Sequence, residues 1–154
     1  MGTQEPVNVD EAGPAVFRLV RYWSRRWIVR TSTELTGEMR HVQHILAVEA
    51  VDTGAAHGDE VTVATVAHQL GLDHSGASRM VRDATTAGYL VKTTSPQDRR
   101  RASLRLTDEG RELLERSHDW QRRAFADLTA TWSAVDRQRF AGYLLRVAAQ
   151  LDLA

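Results

Sequence analysis

The chain of 154 residues has no cysteine, only three prolines and an aromatic content of 6%. Without cysteine it cannot form a disulfide, a catalytic thiolate, a thiol redox sensor or a Cys-ligated zinc site. It has no apolar run near the roughly 20 residues that span a bilayer. Its first 13 residues are polar and acidic, unlike a signal peptide. These absences predict a cytoplasmic protein with no membrane association, long enough to bury its own core in one domain.

The motifs of common enzyme classes are also missing. There is no G-x-S-x-G elbow, no H-E-x-x-H helix, no P-loop and no glycine pattern for a dinucleotide. The six histidines are scattered, with no evident pairing of a base with a nucleophile. We therefore expect no enzymatic activity, no catalytic residues and no cofactor.

The formal net charge is zero, from 20 basic and 20 acidic residues, which at first argues against a nucleic-acid partner. The charges are unevenly distributed, however. Residues 1–78 carry −4, residues 79–105 carry +5 from seven basic and two acidic residues, and residues 106–154 carry −1. A local basic footprint is sufficient to bind phosphates, so the neutral total excludes only a protein that is basic all over.

Apolar residues recur at helical spacing over most of the chain. The pattern predicts a glycine-containing loop at 54–59 and helices at about 15–35, 39–52, 62–70, 73–87, 107–131 and 133–152. The period changes to that of strands at 90–94 and 103–106, which a polar segment with one proline joins into a hairpin. The predicted fold class is therefore mainly α (α+β).

Two of the predicted helices, capped by Thr62 and Asp73, form a helix-turn-helix. Its inward-facing residues would be Val66, Ala67, Leu70, Leu72, Ala77, Val81 and Ala84. The outer face of the second helix then carries the candidate major-groove contacts His74, Ser75, Gly76, Ser78, Arg79 and Arg82. Arg79 is long enough to bind guanine O6 and N7 with two hydrogen bonds. The alternative is an ordinary helical hairpin with a solvated polar face.

The tip of the hairpin carries a dense cation cluster, Asp98, Arg99, Arg100 and Arg101. Arginines on a protruding loop can enter a narrow minor groove, where the electrostatic potential is most negative. We expect Asp98 to bind a neighbouring arginine and fix the loop. A solvated charged turn is the alternative, but it does not account for three adjacent arginines immediately after a helix-turn-helix.

The region from the helix-turn-helix to the hairpin resembles MarR-type transcriptional regulators. The segment S-P-Q-D-R-R-R-A at 95–102 and the segment L-R-L-T-D-E-G at 104–110 are similar to the wing and the next helix start of that family. The segments 75–81 and 88–91 are similar to its recognition helix and exit turn. The resemblance implies a homodimer of winged helix-turn-helix subunits on a pseudo-palindromic operator in double-stranded DNA, acting as a ligand-responsive repressor. It also implies a minor-groove role for Arg100.

The predicted organisation is a disordered tail at 1–13 and a single MarR-like domain at 14–154. Within the domain we expect a DNA-binding winged-helix lobe at about 39–106 and long dimerisation helices at about 14–35 and 107–152. The outer helices carry wide apolar faces, which a winged-helix core cannot cover alone. Pairing across a two-fold axis would bury them and place two recognition helices roughly 34 Å apart. Packing of these faces within one chain is the alternative.

The family resemblance also implies a small aromatic or phenolic effector between the dimerisation helices and the DNA-binding lobe. Candidate lining residues are Trp23, Trp27, His41 and His44, although the tryptophans could equally be core and the histidines surface residues. His41 and His44 lie at i, i+3 on one helix face and His118 could join them, so a zinc-responsive regulator is an alternative. Two firm ligands are too few, and we predict no metal site. A winged-helix module that binds proteins is the other alternative, but it would not need the arginine wing.

Overall fold

The computed structural model describes residues 8–32, 38–58, 60–95 and 102–151, with only the backbone for 23–32 and 38–40. The chain divides into two units, Met1–Val42 and Gln43–Ala154. Within the described residues, no helix is long and apolar enough to cross a membrane.

The first unit is helical. A 3-10 turn at Val9–Glu11 leads directly into helix α1, Ala12–Ser32. Asn8 begins this structure, because its side-chain oxygen accepts a hydrogen bond of 3.0 Å from the Asp10 amide. Val9–Glu11 and the first residues of α1 are therefore helical, although they lie in the segment 1–13 for which the sequence predicted a tail. The residues of α1 that the sequence placed on one apolar stripe include Val16 and Val20, which are 57% and 55% exposed.

Helix α2, Glu38–Ala56, supplies the centre of the core of the second unit. Ile45, Ala47, Val48, Ala50 and Val51 are all buried. The helix continues past the predicted end at 52 and through Gly54, which the sequence assigned to a loop. At Gly54 an added Cβ would lie 3.0 Å from a methyl of Val61, so a side chain there would crowd the residue that precedes the next helix. Packing therefore explains why position 54 holds a glycine although it lies within the helix.

Two short helices form the predicted helix-turn-helix. In α3, Val63–Leu70, Thr62 and Thr65 cap each other through their backbone amides and hydroxyls. Gly71 ends α3 with φ +62°, a conformation that favours glycine. Helix α4, His74–Thr86, begins where the Asp73 carboxylate accepts a 2.6 Å hydrogen bond from the Gly76 amide. These local caps confirm the boundaries expected from the sequence.

The hairpin follows α4 as two antiparallel strands, β1, Leu90–Thr94, and β2, Ala102–Leu106. Leu90 pairs with Leu106 at one end of the ladder and Thr94 with Ala102 at the other. The Leu104 amide donates a 2.8 Å hydrogen bond to the carbonyl of Val61, which connects β2 to the segment before α3. This contact attaches the hairpin to the start of the helix-turn-helix.

Two long helices complete the second unit, α5, Asp108–Leu128, and α6, Ala134–Leu151. Leu113 and Leu114 of α5 are buried. Aromatic packing holds the turn between α5 and α6. The ring of Phe140 stacks on the ring of Phe125 with 5.9 Å between centroids, and its centroid lies 5.1 Å from that of Trp132. The observed element order and the small sheet confirm the mainly α winged-helix fold predicted from the sequence.

The outer part of α6 carries the apolar face that the sequence analysis expected the winged-helix core to leave uncovered. Leu144, Val147 and Leu151, at i, i+3 and i+7, are 40%, 55% and 72% exposed within the chain, and Tyr143 is 58% exposed. Phe140 of the same helix is half-buried.

Candidate nucleic-acid interface

Helix α4 has one fully buried face and one polar, exposed face. Ala77, Val81 and Ala84 on the buried face have no exposed surface. The opposite face presents two cations and two polar groups, the exposed side chains His74, Ser75, Arg79 and Arg82. The buried face therefore fixes the rotation of α4 about its axis, and the polar face follows from that rotation.

Two residues predicted on the same outer face are less accessible. Gly76 and Ser78 are half-buried. The Gly76 amide is bound to Asp73, and an added Cβ at Gly76 would lie 3.2 Å from that carboxylate oxygen. Gly76 thus lets the capping carboxylate approach the first turn of α4, which is a structural reason for a small residue at this position.

Leu72, in the turn between α3 and α4, was predicted to face inward and is instead 36% exposed. The turn is held by its backbone rather than by this side chain, because the Leu72 amide donates 2.9 Å to the carbonyl of Ala67. The inward prediction for Leu72 was therefore wrong, whereas Val66, Ala77, Val81 and Ala84 are buried as expected.

The exit from α4 is tied to the start of α5. The Thr107 hydroxyl donates 2.6 Å to the carbonyl of Gly88 and accepts 3.0 Å from the amide of Gly110. The Thr107 amide also donates 3.1 Å to the carbonyl of Tyr89. Gly88 itself has φ +88°, which favours glycine. These bonds fix the two ends of the hairpin relative to the recognition helix.

A buried polar pair lies at the base of the hairpin. The Ser95 hydroxyl donates 2.7 Å to Oε2 of Glu60, and Ser95 is only 2% exposed. Because Glu60 directly precedes Val61, this bond and the Val61–Leu104 bond hold the same segment against both strands. The pair fixes where β1 ends and the tip begins.

The predicted tip residues Asp98, Arg99, Arg100 and Arg101 lie outside the described residues, so their contacts remain predictions. The strands below them carry two further cations, Lys92 and Arg105, both exposed. The sequence analysis counted these in the basic segment but did not select them as contact residues. Lys92 pairs with Leu104 and Arg105 with Val91, so the two cations lie on opposite faces of the hairpin and alternation alone would not have singled out both.

The residues predicted to line an effector pocket occupy two helices. Trp23 and Trp27 lie in α1, and their side chains fall outside what the structure describes. His41 and His44 lie in α2 and are half-buried. The ring of His44 packs against the ring of Tyr89, 5.3 Å between centroids, so this histidine contacts the exit turn of the recognition helix.

The geometry of the histidines bears on the alternative of a zinc site. Nowhere in the described part of the chain do three histidine or acidic side chains come together as metal ligands. The alternative in which His41, His44 and His118 hold zinc therefore has no geometric support.

Charge elsewhere on the second unit is largely paired along α5. Arg122 binds Asp119 at 2.6 Å and lies 3.7 Å from Glu115. The hydrogen bond from Arg122, aided by its charge, lowers the pKa of Asp119 below its usual value.

Arg79 and Arg82 of α4 have no ion pair with any described acidic residue. Their guanidinium groups are therefore available to an external anion.

Comparison with known proteins gives a consistent family. The MarR family model matches residues 46–101. The chain is 28% identical over 91 residues to the uncharacterised HTH-type transcriptional regulator YdgJ of Bacillus subtilis, spanning 59% of this chain but only 56% of YdgJ. It is 29% identical over 145 residues to a putative transcriptional regulatory protein for the hcr operon of Thauera aromatica, spanning 93% and 84% of the two chains.

Solved structures share the fold. The PcaV transcriptional regulator of Streptomyces coelicolor, solved with its natural ligand, is 27% identical with a TM-score of 0.59, over 95% of this chain and 98% of that one. A mutant MarR of E. coli is 18% identical with a TM-score of 0.67, over 95% and 99%. The chain is therefore similar to MarR-family transcriptional regulators in the sequence of its helix-turn-helix region and in its winged-helix fold.

Proposed function

We propose that the chain is a homodimeric repressor that binds a pseudo-palindromic operator and releases it when a small effector binds. The observation that carries this proposal is the two-sided character of α4. Its buried face, Ala77, Val81 and Ala84, holds it rigidly, and its exposed face offers unpaired guanidinium groups at Arg79 and Arg82. A helix of this kind fits the major groove, where Arg79 is the candidate for a two-bond contact with guanine.

The basic hairpin supplies the second contact in this proposal. Lys92 and Arg105 are exposed on its strands, and three arginines follow at its tip in the sequence. Arg100 is the candidate for the minor groove, and Asp98 for holding the tip arginines in place. The bonds from Thr107 to Gly88 and from Ser95 to Glu60 support the proposal, because a wing must keep its position relative to α4.

Dimerisation is supported by the exposed apolar stripe of α6. Leu144, Val147 and Leu151 lie on one helix face and are all exposed, which is unusual for a stable surface unless another chain covers it. Covering the stripe with a second copy would create a two-fold axis. Two copies of α4 would then meet successive major grooves, roughly 34 Å apart.

The effector is the least constrained part of the proposal. PcaV, a relative over nearly its whole length, was solved with a natural ligand, which supports a small-molecule effector for this chain as well. We propose that this effector is a small aromatic or phenolic molecule, bound in a pocket lined by Trp23, Trp27, His41 and His44. A winged-helix module that binds proteins is less favoured, since the unpaired Arg79 and Arg82 would then have no role.

Selection from random double-stranded DNA, followed by gel-shift titration at rising salt, tests the DNA-binding part of this function. We expect enrichment of one pseudo-palindromic sequence. Affinity should fall steeply with salt, roughly 10³-fold or more between about 50 and 200 mM if six or more phosphates are contacted. The matched control is a variant with alanine at both Arg79 and Arg82. Failure to enrich any sequence, or equal binding by the control variant, would contradict the proposal.

A further inference from the structure

A cavity of about 700 Å³ lies in the second unit, between the second half of α2, helix α3 and Leu151 at the end of α6. Its volume is in the range of sites for small organic ligands. His41 and His44, the two predicted pocket residues whose side chains the structure describes, do not border it. Its apolar wall includes the half-buried side chains of Leu46 and Leu70, against which the apolar body of a ligand can pack.

The charge of this cavity has one sign. Among the described residues that line it, Glu49 is the only acidic one and none is a lysine or arginine. Oε1 of Glu49 accepts hydrogen bonds from Ser117 Oγ at 3.0 Å and from Gln121 Nε2 at 2.6 Å. These two donors from α5 fix the carboxylate, while Oε2 has no hydrogen-bond partner among the described residues. A negative group is therefore held in position at the wall of the cavity with one oxygen open.

The other polar groups of the cavity add a further acceptor. Nδ1 of His57 lies 2.7 Å from the carbonyl of Thr53, so in the neutral ring Nδ1 carries the proton and Nε2 is an acceptor. The side-chain amide of Gln69 is occupied within the fold. Its nitrogen donates to the carbonyl of Ala50, and its oxygen accepts a hydrogen bond from the backbone amide of Gly54. The open groups near Glu49 and His57 thus suit a ligand that donates hydrogen bonds.

We propose that this cavity binds a small organic ammonium ion with an apolar body, its charge against Glu49 and a donor directed to His57. A carboxylate or phenolate would meet the Glu49 carboxylate without a compensating cation, which is unfavourable in a partly enclosed site. Because α3 is the first helix of the helix-turn-helix, a ligand between α2 and α3 alters how the recognition helix is supported. This regulatory consequence rests on the proposed DNA-binding function, whereas the binding itself does not.

Three probes of similar shape and different charge test the proposal on the full chain: naphthylmethylamine, naphthoate and naphthalenemethanol. Calorimetry should show binding of the amine at least about tenfold tighter than of the carboxylate, with the alcohol between them. Glu49→Gln keeps an acceptor for Ser117 and Gln121 but removes the charge, and it should abolish the preference for the amine. Asp52→Asn, an exposed change on the same helix outside the cavity, should leave the preference intact.

Histidine ring signals in NMR spectra locate the probe without relying on a variant that could misfold. The signals of His57 and His68, which border the cavity, should shift with the amine, and that of His74 on α4 should not. Absence of amine binding up to millimolar concentrations, equal affinity for naphthoate, or an unchanged preference in Glu49→Gln would overturn the proposal. If the protein binds DNA while the amine does not bind, only this inference fails. If the amine binds but no DNA sequence is selected, the proposed function fails instead.

Discussion

The hydroxyl of Thr107 donates a 2.6 Å hydrogen bond to the carbonyl of Gly88, across the two ends of the hairpin. The same oxygen accepts the amide of Gly110 and so caps α5. One side chain thus links the exit of the recognition helix, the end of the wing and the first turn of the long helix α5. The linkage explains why a short hairpin with two strands can hold a defined position beside α4.

Replacing Thr107 with valine should destabilise the protein by about 1–2 kcal/mol, because the cap and the bond to Gly88 are lost together while the shape is kept. Urea unfolding followed by circular dichroism measures the change. Thr107→Ser retains the hydroxyl and serves as the control. Equal stability of the valine and serine variants would contradict the role assigned to the hydroxyl.

Gly110 is the second determinant of this junction. A Cβ at Gly110 would overlap the carbonyl oxygen of Tyr89. Alanine normally favours a helix over glycine, but here the overlap should dominate and Gly110→Ala should cost about 1–3 kcal/mol. Glu112→Ala, an exposed change in the same helix, should stay within about 0.5 kcal/mol of the parent. A Gly110→Ala protein as stable as the parent in thermal unfolding would show that the backbone can move apart freely.

Arg79 is the residue of α4 expected to read a base. Arg79→Ala should weaken binding to the selected operator by about 1–3 kcal/mol, or roughly 5- to 150-fold, and relax the preference at one position of each half-site. Gel-shift titration against the operator and its point variants measures both effects. Arg123→Ala, which removes an exposed arginine of α5, is the matched control. A loss that is the same for every sequence would reassign Arg79 to phosphate contact.

Arg100 is expected to reach the minor groove from the wing. Arg100→Ala should reduce operator affinity by about 1–3 kcal/mol without changing thermal stability. The comparison uses the same operator and the Arg123→Ala control under identical salt. Unchanged affinity would refute the minor-groove assignment of Arg100. It would not affect the major-groove contacts of α4, which the Arg79→Ala variant tests separately.

The apolar stripe of α6 should set the oligomeric state. Val147→Glu places a charge in the middle of the stripe and should convert a dimer into a monomer, because an unpaired buried charge is costly at an interface. Gln150→Glu adds the same charge at an exposed polar position of the same helix and should leave the dimer intact. Light scattering at micromolar concentration reports the mass. A monomeric parent protein would contradict the proposed dimer.

The features predicted well from the sequence are those set by neighbouring residues. The caps at Thr62, Asp73 and Thr107 and the helix stop at Gly71 depend on side chains within three or four positions, and the structure confirms them. The two strands of the hairpin likewise lie where the change of period predicted them, at 90–94 and 102–106. Interactions between neighbouring residues were therefore sufficient to predict the helix-turn-helix, the hairpin and their order along the chain.

The features that the sequence did not predict depend on residues far apart in the chain. Gly54 was assigned to a loop, but it lies within α2 where the space for a side chain is taken by Val61 and Thr65. The Ser95–Glu60 bond joins residues 35 positions apart, and the Glu49–Ser117 bond joins residues 68 apart. No local pattern identifies such partners. The cavity beside Glu49 is likewise lined by residues of α2, α3 and α6, which no local pattern brings together.

Hydroxyl-radical footprinting of the selected operator is the most direct test of the central claim that two wings and two copies of α4 bind one DNA site together. The account predicts two protected regions related by a two-fold axis, with centres roughly 34 Å, or one helical turn, apart. It also predicts that Arg100→Ala removes the protection of the flanking minor grooves alone. A single protected region, or protection without symmetry, would contradict the account.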